Sequence, residues 1–197
     1  METPGFSAYI LAGGKSSRMG TDKAFLSLHG RTLLGRALDL ARQLTANVHI
    51  VGDASKFSAF APVVEDIFPG CGPLAGIHAA LRSSRTDLNL ILAVDLPFAS
   101  LALLQYLISQ ADAAPNAQVT LAKTSEGWQP LCAIYRRNFA DEAERALTQG
   151  RYKIDKLFEA GKVRAIEQGQ LEKAGFSNKL FQNLNTPEDV INAANQR

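Results

Sequence analysis

The stretch Phe6-Ser7-Ala8-Tyr9-Ile10-Leu11-Ala12-Gly13-Gly14 decides the fold. Its apolar run from Phe6 to Leu11 has the length of a strand and ends on glycines, so it reads as a buried first strand opening into a loop. The loop continues as Lys15-Ser16-Ser17-Arg18-Met19-Gly20-Thr21-Asp22-Lys23. Beyond it, Leu34, Ala37, Leu38, Ala41 and Leu44 recur at helical spacing, with Thr32 placed to cap.

The same rhythm repeats along the chain. Val48–Val51 reads as a second strand stopped by Gly52-Asp53, and 62–65 as a third that runs into the loop from Asp66 to Gly72. Leu74, Ile77 and Leu81 mark a helix after Pro73. The mostly apolar run from Leu88 to Val94 suits a central strand covered on both faces. Ser100 is placed to cap a helix carrying Leu101, Leu104 and Ile108. Alternating strands and helices of this kind predict an α/β fold with a mostly parallel sheet. The last third is less regular: strands at Val119–Ala122 and Leu131–Tyr135 around Ser125-Glu126-Gly127, then helices at Asn138–Leu147 and Lys153–Glu159. Thr186-Pro187-Glu188-Asp189 has the form of a helix start. With no internal repeat, low-complexity tract or linker, one domain spanning 1–197 is expected.

Composition excludes several classes. The chain is 46% hydrophobic and 20% charged with a formal net charge of +2, which is ordinary for a globular protein. It carries no basic tract or aromatic-interleaved basic stripe, so no nucleic-acid partner is expected. Cys71 and Cys132 make no disulfide framework or Cys-x-x-Cys pair, and His29, His49 and His78 fit no zinc pattern. No signal peptide is apparent, and the most apolar stretch is interrupted by Asp95 and Pro97, so no membrane is expected. A protein of the reducing cytoplasm is the expectation.

The glycine loop concentrates cations. Lys15, Arg18 and Lys23 lie among Gly13, Gly14 and Gly20 at the carboxyl end of the first strand. Glycine lets backbone N–H groups approach an anion, and ligands of open α/β sheets bind at that end. A solvated turn with incidental cations is the competing reading. The spacing is neither a Walker A loop nor Gly-x-Gly-x-x-Gly, which disfavours a nicotinamide dehydrogenase. Asp95 ends the central strand; a carboxylate there suits a divalent cation such as magnesium, or else caps a turn before Pro97. Gly72 and Gly76 bracket a helix start whose N–H groups can face an anion. No Ser–His–Asp or Cys–His set is apparent.

The string Leu-Ala-Gly-Gly-x-Ser-x-Arg-Met-Gly-x-Asp-Lys resembles the start of the molybdenum cofactor guanylyltransferases, within the wider cofactor and sugar nucleotidyltransferases. Glu65-Asp66, Gly72-Pro73-Leu74-Ala75-Gly76, Ala93–Phe98, Gln129-Pro130-Leu131 and Asn183-Leu184-Asn185-Thr186-Pro187 extend the likeness in family order. The resemblance implies a three-layer α/β/α fold of the nucleotide-diphospho-sugar transferase type. It implies that Leu11, Ala12 and Gly13 line the nucleotide through their backbone, joined by Gly14, Gly72 and Gly76. Lys23 would meet the phosphates, Asp66 the nucleotide, and Asp95 both nucleotide and magnesium. Gln129, Pro130, Asn183 and Asn185 would border the second substrate, with Trp128 and Arg151 nearby. Relatives often carry an asparagine after the second strand, where this chain has Gly52-Asp53.

The activity that this resemblance implies is transfer of GMP from GTP to the phosphate of molybdopterin, giving molybdopterin guanine dinucleotide and pyrophosphate. Such an acceptor is already ionised near neutral pH and needs no strong general base. Charge neutralisation and positioning by Arg18, Lys23 and the magnesium on Asp95 would suffice. The expected partners are GTP and molybdopterin, with transient contact to a molybdoenzyme or a cofactor-synthesis protein. A cytidylyl- or sugar-phosphate nucleotidyltransferase of the same fold, or a non-catalytic nucleotide-binding module, are the alternatives.

Overall fold

The first apolar run forms β1 (Phe6–Leu11) in a computed structural model that describes residues 5–13, 22–158, 162–184 and 186–195. A single 3-10 turn at Lys23–Phe25 leads into a small hairpin, β2 (Ser27–Leu28) and β3 (Arg31–Thr32). His29 and Gly30 both have positive φ at its tip, 51° and 75°, as the tight two-residue hairpin turn requires. The chain proceeds through α1 (Leu33–Arg42), β4 (Val48–Val51), α2 (Ala54–Phe57), β5 (Val63–Val64), α3 (Pro73–Ser83), β6 (Leu88–Ala93) and α4 (Leu101–Asp112). The remainder supplies β7 (Val119–Thr124), β8 (Gly127–Arg136), α5 (Phe139–Thr148), β9 (Val163–Glu167), α6 (Gln168–Lys173) and α7 (Pro187–Asn195).

Seven of these strands make one sheet in the order β5-β4-β1-β6-β8-β7-β9. Within it β8 runs antiparallel to β6 and β7, and the other pairs are parallel. Strand alternation explains the three layers. Ala8 and Ile10 of β1, with Leu90 and Leu92 of β6, join one apolar cluster with α1, α4 and α7. Tyr9 and Leu11, with Ile91, face a second cluster built on α3 and α5. Side chains of a strand point to opposite faces in turn, so a run that is apolar throughout needs helices on both.

The expected caps are present. Thr32 Oγ1 accepts from Gly35 N at 3.0 Å, and Ser100 Oγ from Leu103 N at 3.2 Å. At α7, Thr186 Oγ1 accepts from Asp189 N at 3.0 Å while Asp189 Oδ2 accepts from Thr186 N at 2.8 Å, a reciprocal pair that closes the first turn.

Three expectations need correction. The helix read over Lys153–Glu159 is a 3-10 turn of Ile154–Leu157. The strand expected at Leu131 begins earlier, at Gly127, whose φ of 109° makes the tight return from Thr124. Pro130, which has no N–H to give, lies in β8 where the register to β7 shifts. The third strand shrinks to Val63–Val64.

Candidate functional site

The carboxyl edge of the sheet is where the sequence-identified residues converge. Leu11 is in register with Val51 on one side and Ala93 on the other, so three strands end level. Past those ends the backbone stays knitted. Val51 O accepts from Ala12 N and Gly13 N at 3.0 and 3.1 Å, Val64 O from Gly52 N at 3.0 Å, and Leu11 O from Val94 N at 3.1 Å. The N–H groups of Ala12 and Gly13 are therefore committed inside the sheet. Among the described residues, this part of the loop offers carbonyl oxygens to a ligand rather than N–H donors.

Gly13 and Gly52 lie against each other. A Cβ on Gly13 would stand 3.4 Å from Gly52 Cα, and one on Gly52 would meet Phe57 Cε2 at 3.0 Å and Gly13 N at 3.3 Å. The Phe57 ring, 1% exposed, occupies the volume that a side chain at position 52 would need. A side chain at position 52, where the family resemblance expects asparagine, would therefore have to displace that ring. The neighbouring Asp53 is no substitute. Its carboxylate caps α2, accepting from Ser55 Oγ at 2.6 Å and Ser55 N at 2.9 Å, and these bonds hold it below the usual carboxylate range.

Asp95 stands just past the end of β6, between the β1 loop and β8. Lys23 Nζ is 3.9 Å from its Oδ2, each side chain being about a fifth exposed (23% and 22%). Asp95 Oδ1 is buried and has no hydrogen-bond partner among the described residues. Burial pushes this carboxyl group up, and the Lys23 charge pulls it partly back. A buried oxygen without a donor is costly unless a ligand or cation completes it. Among the described residues no group of three or more His, Cys, Asp or Glu side chains could hold a metal ion. A cation on Asp95 would thus draw its other ligands from water and phosphate, which is the habit of magnesium.

Asp66, in the loop after β5, is open to solvent on one side, yet the packing of α3 beside it raises its carboxyl group by desolvation. Its Oδ1 lies 3.7 Å from where a Cβ on Gly76 would be, and that Cβ would also press on Leu11 Cδ2 at 3.3 Å. Gly76 is buried and lets α3 dock closely on the ends of β1 and β4. Gly72 begins α3 with φ 75° and leaves its first turn without a side-chain cap.

On the far side of Asp95, β8 brings Gln129 and Pro130 to the same edge, because it runs opposite to β6. Gln129 Nε2 donates to Thr124 Oγ1 at 3.1 Å, and Pro130 O accepts from Tyr135 Oη at 3.0 Å. Trp128 has Lys123 Nζ over its ring at 5.1 Å and meets Phe158 in a T-shaped contact. Asn183 is exposed, and the adjacent Leu184 N donates to Asp95 O at 2.9 Å while the Leu184 side chain is fully buried. Residues near the chain's end are thereby strapped to the Asp95 turn. The Cys71 thiol, in the loop before α3, pushes the Tyr152 hydroxyl up. His78 is buried between α3 and α5, and His49 stacks on Tyr9. Gly14, Lys15, Arg18, Gly20 and Asn185 lie outside the described residues. Phe57 and Leu184 carry no local sequence signal for the site; only their long-range contacts reveal them.

Sheet order and edge together define a three-layer α/β fold of the nucleotidyltransferase class, with the ends of β1 and β4 and the start of β8 flanking one carboxylate. Residues 8–166 match the model of the MobA-like NTP transferase domain. The molybdenum cofactor guanylyltransferase of Desulfosudis oleivorans is 34% identical over 93% of this chain and 92% of its own. A probable molybdenum cofactor guanylyltransferase of Clostridium perfringens is 33% identical over 93% of each. The crystal structure of molybdopterin-guanine dinucleotide biosynthesis protein A from Archaeoglobus fulgidus superposes with a TM-score of 0.82 at 30% identity, covering 95% of this chain and 96% of that one. The chain belongs to the MobA-like nucleotidyltransferase family. Membership carries with it a general requirement for a divalent metal.

Proposed function

We propose that this chain, as a single nucleotidyltransferase domain over 1–197, transfers GMP from GTP to the phosphate of molybdopterin. The products are molybdopterin guanine dinucleotide and pyrophosphate. The observation that carries the reading is Asp95: a buried carboxylate oxygen without a hydrogen-bond partner among the described residues, on a side chain that faces Lys23, between the β1 loop and β8. The names of the relatives at one-third identity supply the substrate pair.

In this reading the carbonyl oxygens of Ala12 and Gly13 meet the donor edge of the base, Leu11 contributes its backbone, and Gly72 and Gly76 let α3 close on the nucleotide. Asp66 contacts the nucleotide, and Lys23 with Arg18 neutralises the triphosphate. Asp95 would hold magnesium, which when bound would offset negative charge on the phosphate oxygens. Gln129, Pro130, Asn183 and Asn185 orient the acceptor. An acceptor phosphate oxygen forms a bond to the α-phosphorus while the α–β bridging P–O bond breaks, and its electron pair leaves on pyrophosphate. A phosphate monoester has a second pKa of about 6, so the nucleophile arrives ionised and no residue need take a proton. Positioning and charge neutralisation therefore carry the rate. The work is placed in the cytoplasm; among the described residues no helix is long and apolar enough to cross a membrane.

The test is magnesium-dependent pyrophosphate release with molybdopterin as acceptor. GTP should be used in strong preference to CTP. Asp95→Ala should lower turnover by about a thousandfold, as expected when a main stabiliser of transition-state charge is removed. Turnover retained in that variant would remove Asp95 from its proposed role, and equal use of CTP would favour the cytidylyl alternative that Gly52 keeps in view.

A further inference from the structure

Behind the turn that carries Asp95, α1 and the segment following β6 leave a cleft of about 260 Å³. Ala37 and Leu40 of α1, Leu92 of β6, and Val94, Leu96 and Pro97 give it apolar walls, and Arg36, Asp39 and Gln43 stand at its polar side. Val94 and Leu96 bracket Asp95 in sequence, so any occupant contacts the turn itself. The polar groups are unequally committed. Asp39 Oδ2 accepts from Arg31 Nε at 2.9 Å, and Gln43 Nε2 donates to Asp39 O at 3.2 Å. Arg36 Nε, by contrast, is buried with no acceptor among the described residues.

We propose that this cleft binds a small, flat, apolar carboxylate whose charge meets Arg36. A buried guanidinium N–H without an acceptor is costly, and a carboxylate matches the guanidinium fork in shape and charge. One uncommitted cation beside the acidic Asp39 suits a monoanion better than a phosphate dianion. The size fits as well: an apolar cavity of roughly 150 Å³ holds a benzene ring, so a cleft of this volume takes a two-ring body. The apolar walls recognise that body. The site shares no side chain with the nucleotide or acceptor groups, and its test is binding, so it stands or falls apart from the guanylyl-transfer reading.

The probe is 1-naphthoate, titrated into the full chain by calorimetry, with 1-naphthalenemethanol as the uncharged counterpart. Saturable one-to-one binding of the acid is expected, at least about tenfold tighter than the alcohol, because the alcohol leaves Arg36 without its anion. Arg36→Met, which keeps the apolar stem, should abolish the preference for the acid. Ala37→Met, which fills the cleft from α1, should abolish binding of both compounds. Absence of saturable binding to the unaltered chain, equal affinity for acid and alcohol, or undiminished acid binding in either folded variant would each overturn the proposal.

Discussion

On the β5, β4 and β1 side of Asp95 the edge is made of strand ends that leave the sheet abreast. Their first free N–H groups are tied to Val51 O and Val64 O, and glycines at 13, 52 and 76 allow backbone, ring and helix to close up. On the β8 side the edge is made of a returning strand, a register shift opposite Pro130, and a terminal segment fastened by Leu184 N to Asp95 O. The first side is rigid through backbone hydrogen bonds and close packing. The second is assembled from parts distant in sequence. Strand ends suit a nucleotide base, whose donor edge fixed backbone carbonyls can meet. The assembled side suits an acceptor that side chains must shape. Asp95 belongs to both: its strand is part of the first side, and its carbonyl anchors the second.

The contrast is most exposed at Leu184. Its side chain is fully buried, and replacing it by Ala should cost about 2–5 kcal/mol, a typical range for a core Leu→Ala change. Because α7 and Asn183 are seated by that anchor, KM for the acceptor should rise while KM for GTP changes little. Urea unfolding and steady-state kinetics with each substrate varied would measure both. A rise confined to GTP would mean that the two sides are not built separately.

A smaller effect tests the first side. Gly52→Asn would put a side chain where Phe57 Cε2 stands 3.0 Å from the ideal Cβ. Overpacking of this sort costs about 1–3 kcal/mol. If the ring is the reason, pairing the change with Phe57→Leu should recover part of the loss, so the double variant would be more stable than the sum of the single costs allows. Simple additivity in thermal unfolding would show that Phe57 does not dictate glycine at this position.

These positions show how far the sequence can be read. β1 and β6 are legible because burial on both faces leaves a mostly apolar run, and Thr32 and Ser100 because a cap is a local hydrogen bond. Asp95 is legible as the polar residue ending such a run. Family likeness, not periodicity, picks out Asp66 and Asn183. The early start of β8 at Gly127 and the strand β9 escape a reading of the sequence, since short strands with one polar face resemble loops. Phe57 and Leu184 escape it for a stronger reason. Each is an ordinary apolar residue whose importance lies in meeting Gly52 or the Asp95 turn, and such contacts leave no local pattern.

The smallest expected effect concerns Asp95 alone and separates its cost from its use. Burial raises its carboxyl group in the folded chain, so folding disfavours the ionised form. A carboxyl raised on folding binds its proton more tightly in the native state. Stability is therefore higher at low pH and falls as pH rises from the ordinary carboxylate range through the raised native value. Asp66 is raised in the same sense and adds to the slope. Asp95→Asn removes the Asp95 part only. In metal-free buffer near neutral pH the variant should be more stable than the unaltered chain, since the pair lost with Lys23 is long, partly exposed and weak. Below the carboxylate range the advantage should vanish. Magnesium should then reverse the order, stabilising the unaltered chain by binding its native state and leaving the variant unmoved. Calorimetric Tm values from about pH 3 to about pH 8, with chelator and with magnesium, cover the range over which the carboxyls titrate. A variant less stable than the unaltered chain in chelator at neutral pH would show that the orphaned oxygen is not the burden its burial implies, and that the second side needs Asp95 for more than its carbonyl.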